Sequence, residues 1–180
     1  MEDVLSFDFE SFLREENDKT LKREELNHSK ISEESDRGAI IVAAALLDDA
    51  LRAKICKRLF DCSMKKDPLF DDGNAPLGTF SAKIELAFRL GEIDEECKKT
   101  LNTFKKLRNS FAHDASVTTL LSEPIRSKLI SSIEHSPNLV NQLKEKSSNL
   151  GYNVHDCLHT AKPRTLLNVA FSVLIDSLRV

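Results

Sequence analysis

The chain has 180 residues, of which 41% are hydrophobic and 31% charged, and this composition suits a globular protein with a core of its own. Its formal net charge of −3 gives no overall positive field to hold the chain on a phosphate backbone, so we expect no specific DNA binding by the chain alone. No apolar run reaches the roughly 18 residues of a membrane span, and the acidic start excludes a secretory signal peptide.

Glycine and proline are scarce and alternating β-branched residues are nearly absent, which predicts an all-α fold. Residues 1–30 are dense in acids and bases at helical neighbour spacing, and they predict a polar, solvated helix that is mobile at its start. Ser32 is expected to cap the next helix. Residues 39–47 are apolar on every side, so this helix should be the central, enclosed one.

Local start and stop signals place the later helices. After a loop over residues 67–78, Thr79 should cap a helix that Gly91 ends as a left-handed cap, and Asp94 should start the next one. Further starts are marked by prolines, the last of them Pro163. These signals predict an irregular bundle of about seven helices. We expect one domain over residues 1–180, with a core in 34–113 and C-terminal helices in 114–180.

The sharpest local signal is the segment from Arg108 to His113. Arg108 is expected inside an apolar stripe between Phe104 and Phe111, where a permanently charged guanidinium needs a carboxylate or a ligand. The first interpretation is a buried clamp between Arg108 and an acid, with His113 capping the helix end. The candidate acids are Asp36, Asp48, Asp49 and Glu85.

A second interpretation of the same segment is an anion or nuclease site. Arg108, a polar residue and then His113 resemble the Arg-x4-6-His motif of HEPN domains, several of which are metal-independent ribonucleases. The resemblance implies that Arg108 binds phosphate, that Asn109 fills the polar position, and that His113 assists attack by a ribose hydroxyl. RNA is the partner in this alternative.

Two opposite charges, Asp36 and Arg37, directly precede the apolar helix. They predict a polar cluster with Arg108 and His113, in which Asp36 meets Arg108, and Gly38 would let another helix approach closely. The alternative is a helix start whose charge complements the helix dipole.

No cofactor or metal is predicted. His155, Cys157 and His159 offer three zinc ligands, but a tetrahedral site needs a fourth. Residues 73–78 imitate the Gly-x4-Gly of a phosphate loop, but Thr79 stands where its lysine should be, so we expect no nucleotide site. The four cysteines show no paired metal spacing, and reduced thiols are typical of a cytoplasmic protein.

Four blocks that occur in order resemble the mannitol operon repressor family. They are residues 34–38 with the Ala-rich helix after them, 74–84, 90–93 and 108–113. The resemblance implies an all-helical fold and a role in transcriptional regulation, in particular repression of mannitol utilisation.

The resemblance supplies no DNA-reading element, and the residues supply none either. The helix after Gly91 begins with Asp94, Glu95 and Glu96, which phosphates would repel, so no helix-turn-helix can be drawn. We therefore predict a non-enzymatic regulator that acts through a protein partner. The alternatives are the HEPN-like RNA domain and direct DNA binding by a basic patch, which would consist of Lys54, Arg58, Lys65 and Lys66.

Overall fold

A computed structural model describes residue 31 and residues 33–60, 66–114, 119–134, 136–137, 140–141 and 163–179. These residues contain five α-helices with defined bounds and no β-strand, so the all-α prediction is confirmed for them. The helices are α1 (Asp36–Cys56), α2 (Phe80–Arg89), α3 (Glu95–His113), α4 (Glu123–Glu134) and α5 (Pro163–Arg179). The helix predicted in residues 1–30 lies outside the described residues, and the total of about seven helices stays a prediction.

Helix α1 begins three residues later than Ser32 would place it. Ser35 is the cap, because its backbone is extended and its side chain accepts a hydrogen bond from the backbone N–H of Gly38 at 3.1 Å. Ser32 itself lies outside the described residues. A side chain at Gly38 would meet the side chain of Glu34 instead of a second helix, so the close approach expected there is local.

Helix α1 is the central element, since α2, α3 and α5 all pack against it. Its inner side is fully buried and consists of Ala39, Ile40, Ala43, Leu47, Leu51 and Ile55. The expectation that residues 39–47 are enclosed on every side is wrong, because Ile41 is 40% exposed and Ala45 is exposed as well. The described helices cover three sides of α1 and leave one open.

Both ends of α2 and the start of α3 lie where the local sequence signals predict them. The Thr79 hydroxyl accepts from the Ala82 N–H at 3.1 Å, and the Asp94 carboxylate accepts from the Cys97 N–H at 2.7 Å. Gly91 has a positive φ of 72°, a conformation in which a side chain would be strained. The three predicted caps are confirmed.

Helices α4 and α5 close the bundle. Helix α4 packs on α3 and α5, and α5 packs on α1. The buried side of α5 includes Leu167, Ala170, Leu174 and Leu178. No helix in the described residues is long and apolar enough to cross a membrane.

Candidate functional site

Arg108 lies on the surface, so the predicted buried clamp is wrong. The residue is exposed, and its Nη1 donates to Oδ1 of the neighbouring Asn109 at 3.2 Å. Leu107, only 1% exposed, continues the buried stripe from Phe104 to Phe111. Each residue turns an α-helix by about 100°, which carries Arg108 from that stripe onto the flank of α3. The guanidinium therefore needs no internal acid.

The acids proposed as partners of Arg108 are placed elsewhere. Both carboxylate oxygens of Asp48 accept from Lys83 Nζ at 2.8 Å, and the Lys83 side chain is only 7% exposed. Glu85 pairs with Lys98 at 2.7 Å, and Asp49 is exposed. Lys83 was missed because it interrupts the apolar face of α2. The sequence feature that could have revealed this ion pair is a cation at a core position, because such a cation needs a carboxylate within reach.

Asp36 is the centre of a polar cluster that joins distant parts of the chain. One of its carboxylate oxygens accepts from the Thr119 hydroxyl at 3.1 Å and from the Leu120 N–H at 2.9 Å. The other accepts from Arg164 Nη1 at 3.1 Å. Arg164 also donates through Nη2 to the backbone oxygen of Glu34 at 2.8 Å. These bonds hold the start of α1, the start of α5 and the segment before α4 together.

Arg164 is the main residue that the sequence reasoning did not find. It lies in the first turn of α5, where the positive end of the helix dipole disfavours a cation. Such a cation needs an acid from another element, and Asp36 provides it. Both carboxylate oxygens of Asp36 accept hydrogen bonds from donors within the fold. The cluster is therefore suited to holding helices together and offers no free base.

The four residues of the predicted polar cluster are only partly brought together. Arg37 donates through Nη2 to the backbone oxygen of Asp114 at 2.9 Å, and Asp114 directly follows His113. Asp36 and Arg37 therefore lie near the end of α3. Arg108 takes no part in these contacts, and His113 is exposed.

The basic patch proposed for direct DNA binding is not assembled as predicted. Lys54 is only 8% exposed, and Arg58 is engaged with Glu92 at 2.5 Å. Lys65 lies outside the described residues, and Lys66 is exposed. The burial of Lys54 and the ion pair of Arg58 thus remove two of the four charges that the patch needs.

The loop between α1 and α2 is held by an ion pair. Arg52 donates to both oxygens of Asp71, at 2.5 and 2.8 Å, and its guanidinium lies over the buried Phe70 ring at 4.8 Å. The hydrogen bond from Arg52 is the main reason why the pKa of Asp71 falls to about 2.

Cysteine and metal chemistry find little support in the described residues. Burial raises the pKa of the Cys97 thiol to about 11, which keeps it protonated at neutral pH. In the described part of the chain, no three ligand-type side chains come together to hold a metal ion. His155, Cys157 and His159 lie outside that part, so the prediction about them stays a prediction.

Comparison with known proteins identifies one relative by its fold. No protein-family profile matches the sequence, and no curated protein matches it. The chain is similar to MtlR of Escherichia coli in its X-ray structure with HPr, with a TM-score of 0.60 and 19% identity. The match covers 87% of this chain and 98% of that one. At this identity the likeness establishes a shared fold, and to that extent the resemblance predicted from the sequence is confirmed.

Proposed function

We propose that this chain is a transcriptional regulator that acts by binding a protein partner in the cytoplasm, and that HPr is the candidate partner. The observation that carries the proposal is the fold shared with nearly the whole of MtlR, a protein whose structure was solved in a complex with HPr. Regulation of mannitol utilisation is the finer form of this proposal, and it rests on the four sequence blocks. The bound partner, and not a DNA-reading helix, would then carry the signal.

Exposed apolar side chains support binding to a protein. Phe60 is 97% exposed and Leu121 is 70% exposed, which are high values for large hydrophobic residues. Ile41, Leu69 and Leu90 are exposed to lesser degrees. Apolar side chains of this kind serve as anchors at the centres of protein interfaces. Asp36 and Arg37, in contrast, serve the fold.

The test is a calorimetric titration of the full chain with HPr from the same organism. We expect saturable binding with a Kd of about 10 μM or tighter, as befits a specific regulatory contact. Leu121→Ser and Phe60→Ser should show which anchor is used, through a loss of about tenfold or more in affinity. Ala53→Ser, at an exposed position on α1, is the matched control. Absence of binding at about 100 μM HPr would contradict the proposal.

The HEPN-like alternative gains from one observation, which is that Arg108 and His113 are both exposed. A buried Arg108 could not have reached a substrate, and its exposure removes that objection. A different geometric reason replaces it. Five residues along an α-helix correspond to a rotation of about 140°, so the two side chains leave α3 at opposite edges of its exposed half. One chain cannot direct both at the same phosphate, and we rank this function second.

The ribonuclease test compares the wild-type protein with His113→Ala on labelled single-stranded RNA and on transfer RNA. We expect no cleavage by either protein. Cleavage by the wild type that disappears in the variant, with unchanged circular dichroism, would reverse the ranking. It would also require a second subunit to complete the site.

A further inference from the structure

The later part of α3 carries positive charge that no carboxylate of the described residues pairs with. Residues 97–113, which make up most of the helix, contain five lysines and arginines and no aspartate or glutamate. In the first half of the helix both lysines are paired, Lys98 with Glu85 at 2.7 Å and Lys99 with Glu95 at 2.9 Å. Those charges are neutralised within the fold.

Beyond that point the cations have only neutral partners. Lys105 Nζ donates to the Ser81 hydroxyl at 3.0 Å, and Arg108 donates to the Asn109 amide oxygen. Lys106 is exposed. Among the described residues, no carboxylate pairs with any of these three cations. The outward residues of this segment make up the exposed half of the helix, here called the basic face of α3, which consists of Lys105, Lys106, Arg108, Asn109, Ala112 and His113.

We propose that the basic face of α3 is a docking surface for a carboxylate-rich region of a partner protein. Unpaired cations on the exposed half of a helix attract a surface of opposite charge and direct its approach. Ala112 is exposed and small, so a partner can come close to the helix at the centre of the face. The proposal does not depend on whether HPr binds.

The small number of cations on the basic face and the negative net charge of the chain favour a protein over a nucleic acid as the occupant. Three permanent cations would neutralise about three phosphates, and such binding weakens steeply as salt rises towards physiological levels. The chain as a whole is negative, with a net charge of −3, and repels a long polyanion. An acidic patch on a protein is local. It can contact the basic face without bringing further negative charge against the rest of this chain's surface.

The test follows backbone amide resonances of the isotope-labelled full chain at about 150 mM salt. The probes are an oligoglutamate peptide and an oligouridylate RNA of equal length, about ten residues each. The variant is K106E/R108E. The matched control is K57E/K66E, which makes the same charge change at two other exposed lysines. Circular dichroism confirms that each variant keeps its helical content.

We expect the peptide to shift resonances within residues 105–113 and to bind the K106E/R108E variant about tenfold more weakly or not at all. The control should bind as the wild type does. Equal loss in the control, shifts spread over other helices, or no binding of the peptide would overturn the proposal. Tighter binding of the RNA at the same resonances would overturn it too, in favour of a nucleic-acid site.

Discussion

The ion pair between Asp48 and Lys83 gives a quantitative test of how α2 is fixed to the central helix. Replacing Asp48 with alanine leaves the Lys83 ammonium, whose side chain is 7% exposed, without the carboxylate that pairs with it. Removing one partner of a fully buried pair costs about 3–5 kcal/mol. Asp48 is 28% exposed, so water can reach the ammonium from that side and lowers the cost. We expect Asp48→Ala to reduce the free energy of unfolding by about 2–3 kcal/mol.

The double variant Asp48→Leu/Lys83→Met provides the matched comparison. It removes both charges and keeps apolar volume between α1 and α2, and such replacements are often neutral or stabilising. We expect its stability to lie within about 1 kcal/mol of the wild type, measured by urea denaturation followed by circular dichroism. A cost below about 0.5 kcal/mol for Asp48→Ala, or a double variant as unstable as the single one, would refute the reasoning.

Three further outcomes are expected. Arg108→Ala should change the free energy of unfolding by less than about 0.5 kcal/mol in the same assay, because the side chain is exposed and bonded only to its neighbour. Thiol labelling mapped by mass spectrometry should modify exposed Cys56 about tenfold faster or more than Cys97, whose pKa is raised to about 11 by burial; equal rates would contradict that burial. The carboxyl of Asp71 should titrate near a pKa of about 2 by NMR and return towards about 3.9 in Arg52→Gln, and because the folded-state pKa is depressed, the stabilisation by this pair is complete above about pH 4 and disappears as pH falls through about 2.

Local chemistry explains which parts of the fold were predictable. The caps at Thr79 and Asp94 and the left-handed turn at Gly91 depend on residues within one helical turn, so their patterns can be read directly. Ser32 and Ser35 lie three residues apart, and the side chain of either one could cap a helix. The choice between them depends on Asp36, the first helical residue, which is engaged by Thr119 and Arg164.

The candidate site was less predictable because its contacts join residues far apart in the chain. Asp36 and Arg164 are separated by 128 positions, and no spacing rule connects them. For Arg108 the error was different. The apolar stripe was drawn through Phe104 and Phe111, and Leu107 was left out, although it is the residue that α3 buries at that level. A helix face must be assigned from all its apolar residues before a charge is placed on it.

The packing of α5 against α1 has a consequence for synthesis on the ribosome. Helix α5 ends about 120 residues after α1 does, so at 5–20 residues per second roughly 6–24 seconds pass before the partner of α1 is complete. During that interval one apolar side of α1 lacks its permanent cover. Nascent chains stalled before residue 163 should therefore bind ribosome-associated chaperones and be cut within α1 by added protease. Chains released after residue 179 should resist both.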